Sequence, residues 1–167
     1  VSRRTENVLN AYVGGNIAWS SKLSAEMSVA IERTQATLWN RWDLYPSLTL
    51  SYTPRSGRLW QLAFSSDKTY PDFWTVQHVT SYHGGQYEEI IGNPGLRPSR
   101  EYSVSLVHIL HNKYTFRGWF SHQQDYFTQT MFQSRDRLVE IDQFHNFDFH
   151  QQAGLMVAVP WKPVWWF

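Results

Sequence analysis

The sequence predicts an all-β chain, an antiparallel up-and-down meander of about seven to eight strands. Three observations predict it. Apolar and polar residues alternate with a period of two over long segments, the signature of a strand with one face buried. The segments come in four pairs, each closed by a tight turn: Ser20-Ser21-Lys22, Pro54-Arg55-Ser56-Gly57, His111-Asn112-Lys113 and Pro160-Trp161-Lys162-Pro163. Between pairs the connections are long, aromatic and irregular, so an up-and-down sheet would have one trimmed end and one elaborate end. Nine Trp, nine Tyr and ten Phe, 17% of the 167 residues, add the aromatic enrichment that suits a pleated surface.

The first pair runs from Leu9 to Trp19 and from Ala25 to Arg33. Ala11, Val13, Ile17 and Trp19, then Met27, Val29 and Ile31, hold one parity, while Asn10, Asn16, Glu26, Ser28 and Glu32 hold the other. Gly14-Gly15 would weaken the first strand or mark a bulge. Lys22 to Thr37 has the composition of a helix, but its period is that of a strand. In the second pair Leu48, Leu50 and Tyr52 alternate with Ser47, Thr49 and Ser51, and Trp60, Leu62 and Phe64 with Gln61, Ala63 and Ser65. The third sets Tyr102, Val104 and Leu106 against Glu101, Ser103 and Ser105, then Tyr114, Phe116 and Phe120 against Thr115, Arg117 and Ser121. Phe147, Phe149, Ala153, Leu155, Val157 and Val159 form the apolar parity of the last long strand, and Val164-Trp165-Trp166-Phe167 begins an eighth.

Strand length gives this meander a setting. About ten residues at roughly 3.3 Å each, tilted near 40°, span about 25 Å, the height of the apolar band of a transmembrane β-barrel. Soluble strands are shorter, typically about five to six residues. Trp19, Tyr52, Trp60, Tyr114, Trp161, Trp165 and Trp166 lie near the short turns, where a barrel carries an interfacial aromatic girdle; cross-strand aromatic pairing in a soluble sheet would also enrich them. Nothing approaches the run of about 18 apolar residues that a helical span needs. The formal charge of +1, from fifteen Lys and Arg among fourteen acids, gives no basic stripe for nucleic acid. No cysteine is present, which removes disulfides and thiolate metal sites. The chain begins Val1-Ser2-Arg3-Arg4 with neither Met nor a signal peptide, so it is expected to be a mature or excised segment whose targeting information is missing.

No catalytic constellation emerges, and the chain is not expected to be an enzyme. His108 and His111 are three apart and diverge on a strand; His145 and His150 also differ in parity, which disfavours a shared metal or a hydrolase built on them. Asp142, Asp148 and Glu140 read as a polar face, and Glu88-Glu89 would point apart on an extended chain. No phosphate loop, nucleophile elbow or zinc-protease motif occurs, so no cofactor and no metal are expected. The long segment from Pro71 to Ser99 differs in kind. A structureless loop of this length in a compact domain is usually functional or disordered. Its Trp74, His78, Tyr82, His83 and Tyr87 are the candidate substrate contacts, with packing of the loop on itself as the simpler reading.

Ile91-Gly92-Asn93-Pro94-Gly95-Leu96-Arg97-Pro98, followed by Glu101-Tyr102-Ser103-Val104-Ser105-Leu106, resembles the GNPxLxP loop and following strand of TonB-dependent receptors, the outer-membrane barrel family common in Bacteroidetes. Glu6-Asn7-Val8-Leu9-Asn10-Ala11-Tyr12, Leu44 to Tyr52, Asn112-Lys113-Tyr114-Thr115-Phe116 and Trp165-Trp166 fall in the same order as that family's segments, although Val164 stands where the family often has a basic residue. The resemblance implies the wall of a nutrient receptor in the outer membrane of a Gram-negative cell. It further implies outer-membrane lipid around the barrel, a plug domain inside it, an inner-membrane energising complex acting through that plug, and in some relatives a surface lipoprotein. The short turns would be periplasmic and the Pro71 to Ser99 loop extracellular. By that resemblance residues 1–167 are expected to be a single β-barrel-wall fragment of a larger barrel, with no plug domain and no signal peptide within it. The alternative is a soluble β-domain that binds a carbohydrate or another small ligand, its apolar parity forming a closed interior. A barrel piece isolated in water would have open edges and an apolar face, and would be expected to close on itself or oligomerise.

Overall fold

The computed structural model describes residues 5–36, 38–83 and 87–161, with the side chain of His83 excepted. Among the described residues eleven strands form two sheets: β1 (Asn7–Ser20), β2 (Leu23–Gln35), β3 (Asn40–Arg55), β4 (Arg58–Thr69), β5 (Thr80–His83), β6 (Glu88–Ile91), β7 (Ser99–Leu110), β8 (Tyr114–Gln124), β9 (Phe127–Gln133), β10 (Glu140–Asn146) and β11 (Phe149–Ala158). One sheet has the order β1-β2-β3-β4-β7-β8-β11, and the other β5-β6-β10-β9. The seven long strands are the expected antiparallel meander. Their period prevails over the helical composition of Lys22 to Thr37, within which Leu23–Gln35 becomes β2. The chain separates into two compact units, residues 1–66, 102–121 and 152–167, and residues 67–101 and 122–151.

In the first unit the register makes the alternation two-dimensional. Met27, Leu48 and Phe64 stand side by side on β2, β3 and β4, as do Ala25, Leu50 and Leu62. The other parity aligns Ser28, Ser47 and Ser65, the first two hydroxyls 2.7 Å apart, and Ser65 meets Ser103 of β7 at 2.8 Å. One face is therefore apolar and the other carries a hydroxyl ladder. Gly14 and Gly15 pair in register with Ser28 and Met27, so the expected bulge is not there; the irregularity lies between Ala18 and Ser20, beside the turn. Ser56-Gly57 closes β3 on β4 with Gly57 at φ 79°, a left-handed conformation that favours glycine.

The second unit corrects two expectations. The Pro71 to Ser99 segment is not structureless: it holds a 3-10 turn at Phe73–Val76, β5 and β6. The later connection adds β9 and β10, and β6 pairs with β10 in parallel, Glu89 opposite Ile141 and Ile90 opposite Asp142. A four-residue strand paired with a partner fifty residues away has no local period, so sequence patterning misses it. Asp142 is also not a solvent-facing residue but is buried at 5% exposure. Val164 to Phe167, expected to begin an eighth strand of the meander, lie outside the described residues.

Candidate functional site

Burial in the first unit is inverted relative to a water-soluble sheet. Among the described residues of the whole chain, Ala25, Val76, Leu96 and Val139, with Pro71 and Pro98, are the buried apolar side chains, whereas Leu44, Tyr52, Trp60, Leu62, Leu106 and Leu155 are exposed on the apolar parity. The apolar face is thus a surface and not the closed interior that a soluble ligand-binding domain would need. An exposed apolar surface of this extent calls for an apolar medium or partner.

Both limits of this face are marked. At the short turns, Leu23, Tyr52 and Trp60 form one row; at the other limit, Leu9, Arg33 and Trp42 form another, with the Arg33 guanidinium 5.4 Å from the Trp42 ring centre. The strand between Leu23 and Arg33 is roughly 33 Å long at about 3.3 Å per residue, or roughly 25 Å of height at a tilt near 40°. His108 belongs to the turn-side row. Its ring stacks on Trp60 at 3.7 Å and lies 6.1 Å from Phe116, and its Nδ1 is 3.2 Å from the Leu59 carbonyl oxygen. This histidine is an aromatic neighbour, not half of a metal pair with His111, which sits in the turn at φ 54°.

The second unit holds a small cavity of about 170 Å³ lined by Trp74, Thr75, Val79, Ser81, Ile90, Ile91, Gly92 and Phe144. Its rim is fixed by the Gly92 to Pro98 loop. Gly92 N donates to the Val79 carbonyl (3.1 Å), Asn93 N to the Thr75 carbonyl (2.7 Å) and Asn93 Nδ2 to the Phe144 carbonyl (2.9 Å), while Asn93 Oδ1 accepts from Gly95 N (3.0 Å). A Cβ on Gly92 would run into the Gln77 carbonyl, so only glycine lets the two backbones approach. Further along, Asn146 Oδ1 accepts from Arg97 N, its Nδ2 reaches the Arg97 and Asp125 carbonyls, and Arg97 pairs with Asp125 at 2.8 Å. Leu96 and Ser99 are buried beneath.

Of the five aromatic candidates, Trp74 lines this cavity and is 77% exposed. Tyr82 stands on β5 opposite Glu89, one residue out of phase with the cavity-lining Ser81, and so presents to the other face. His78 and Tyr87 are exposed, and the side chain of His83 lies outside the described residues. The structure therefore does not gather all five into one pocket. Near Tyr82, the Arg137 guanidinium grips the buried Glu89 carboxylate with two hydrogen bonds of 2.6 and 3.0 Å. Those bonds, followed by the attraction of the Glu89 charge, raise the Arg137 pKa above its ordinary value. Sequence reasoning missed Arg137, Phe144 and Asn146, all from the later connection; only the GNPGLRP run signalled the loop that two of them brace.

Three further histidines are occupied by their neighbours. His145 is tilted against Phe132, His150 stacks on Tyr126 at 4.7 Å, and His122 lies near Phe149 with Gln151 Nε2 3.0 Å from its Nδ1. Among the described residues no group of three or more His, Cys, Asp or Glu side chains could hold a metal ion.

The model of the outer membrane protein beta-barrel family matches residues 5–167. No curated protein matches the chain. Among solved structures, the siderophore receptor PirA from Pseudomonas aeruginosa is similar over 91% of this chain and 30% of its own, with TM-score 0.72 and 11% identity. A mutant of the ferric enterobactin receptor PfeA from Pseudomonas aeruginosa, in complex with enterobactin, is similar over 91% and 24%, with TM-score 0.69 and 12% identity. The siderophore receptor PirA from Acinetobacter baumannii is similar over 90% and 25%, with TM-score 0.63 and 10% identity. At these identities the likeness is one of fold, and the chain spans less than a third of the length of each receptor.

Proposed function

This chain belongs to the outer membrane protein beta-barrel family, and from that premise we propose that it is one continuous wall segment of a TonB-dependent nutrient receptor. The single observation that carries the reading is the two-faced meander, with an exposed apolar parity on one side and a Ser28, Ser47, Ser65 and Ser103 ladder on the other. The apolar parity meets outer-membrane lipid, and the hydroxyl ladder lines the interior, where it meets water and a plug supplied by the rest of the protein. An inner-membrane energising complex acts through that plug, and a surface lipoprotein is a further partner of the extracellular side. The short turns are periplasmic and the Pro71 to Ser99 connection is extracellular. Transport, not catalysis, is the role of the whole.

Within that connection Trp74, His78, Tyr82, His83 and Tyr87 contribute to substrate capture. Trp74 is supported best, being an exposed ring at the mouth of a braced cavity. Ferric siderophores are the first class to test, because the structural relatives named above are siderophore receptors. In the full-length protein, tryptophan fluorescence titrated with ferric enterobactin and with a panel of oligosaccharides is expected to quench with one class. W74A should weaken that binding about tenfold, the loss of one good aromatic contact of about 1.4 kcal/mol. Saturable binding that W74A, Y82A and Y87A all leave unchanged would remove these residues from the capture surface.

A further inference from the structure

The trimmed end of the first unit is cationic without relief. Lys22 lies in the β1–β2 turn, Arg55 and Arg58 flank the β3–β4 turn, and Lys113 lies in the β7–β8 turn; all four are exposed. The turns are neighbours in the fold. Thr53 N donates to the Lys22 carbonyl at 2.7 Å, and Asn112 N donates to the Gly57 carbonyl at 3.1 Å, so the β3–β4 turn is tied on both sides. Among the described residues none of the four cations has a carboxylate partner. The nearest acid along β2 is Glu26, which stands opposite Thr49 on the polar parity.

Arg55 and Arg58 add a second observation. They are directly opposite one another in the register, an arrangement of like charges that disfavours the pairing unless an anion lies between or above them. A register shift between Tyr52 and Arg55 produces this: three steps on β3 match two on β4, from Trp60 to Arg58. Arg58 has the same parity as Trp60, Leu62 and Phe64, so the shift turns Arg55 onto the apolar side as well. Two guanidiniums thus stand just beyond the Tyr52, Trp60 and His108 aromatic row, at the depth where a lipid changes from acyl chain to headgroup.

We propose that the rim formed by Lys22, Arg55, Arg58 and Lys113 is a docking surface for anionic phospholipid headgroups. The headgroup phosphate accepts from the paired guanidiniums, the two lysines extend the positive field to either side, and the acyl chains lie along the apolar parity below the aromatic row. Phospholipid is the occupant because the surface is continuous with the lipid-facing wall. The proposal rests on the reading that the short turns are periplasmic, but not on what the receptor captures.

Native mass spectrometry of the full-length protein in mild detergent, titrated with phosphatidylglycerol and with phosphatidylcholine of matched chains, tests it. The intact protein is expected to prefer phosphatidylglycerol about tenfold, and added salt should erode that preference. K22Q/R55Q/R58Q/K113Q should bring the two lipids to within about twofold of each other. Heat-modifiable migration reports whether that variant has folded; if it has not, R55Q/R58Q carries the test and should lose most of the preference alone. Equal binding of the two lipids, or a preference that survives in the folded variants, overturns the proposal. So does tighter binding of lipopolysaccharide than of phosphatidylglycerol, which would put the rim in the outer leaflet. Siderophore titration of the same variants separates the two proposals, since capture should be unchanged whatever the lipid result.

Discussion

Asn93 satisfies four hydrogen-bonding needs of the loop at once, two through its side chain and two through its backbone. Its side chain spans from Gly95 to the Phe144 carbonyl of β10, which is how a motif local in sequence comes to fix a contact fifty residues away. N93A should cost about 1–2 kcal/mol, the net worth of one part-buried and one exposed hydrogen bond, and raise amide exchange across residues 92–97 while leaving β1 to β3 protected. Exchange unchanged in that loop would mean the brace is idle. Arg137 is the other residue whose removal should be felt locally. R137Q leaves the Glu89 carboxylate buried at 3% exposure without its cation, so proteolytic cleavage in the 134–139 connection should accelerate. The GNPGLRP run signals a loop of consequence and its aromatic neighbours read as ligand contacts, whereas the bracing of the loop falls to its asparagine. Arg137 and Asn146 had no signal at all, because each acts on a strand or loop brought near only by β6 and β10 pairing.

At the scale of elements, the period of two was sufficient for β1 to β4, β7, β8 and β11. It located both ends of β2 closely despite a helix-forming composition, since each strand is long enough for the parity to accumulate. β5, β6, β9 and β10 were not legible: at four to seven residues they carry little periodicity, and β6 is held by a parallel partner beyond the reach of a local pattern. The parity makes a sharp prediction on β3. Leu48 stands between Met27 and Phe64 on the apolar face, and Thr49 next to it faces the other way. In the full-length protein folded into bilayers, L48R should lose about 2–4 kcal/mol of stability, the cost of arginine at mid-membrane depth, whereas T49R should lose little. Similar losses in both would say that the two faces do not meet different media.

For the whole molecule, the inverted burial of the first unit decides more than any single site. A seven-stranded meander that exposes Leu44, Leu62 and Leu155 has no aqueous explanation as an isolated domain, and the family to which it belongs supplies the medium. The membrane setting was legible because strand length and parity are both properties of the chain itself. The open hollow of about 610 Å³ lined by Val104, Leu106, Gly118, Phe120 and Leu155 among others fits the same account, since none of its lining residues carries a charge or a hydroxyl.

The most direct test reads the medium on each side of one strand. The chain contains no cysteine, so single cysteines at Leu48, Thr49, Leu50 and Ser51 give labels unique within it. Spin labels at these positions in the full-length protein, reconstituted into bilayers, can be relaxed by oxygen, which partitions into lipid, or by a water-soluble nickel chelate. Oxygen should dominate at 48 and 50, and the chelate should gain at 49 and 51. The reverse alternation, or none, would contradict a wall whose apolar parity faces the membrane.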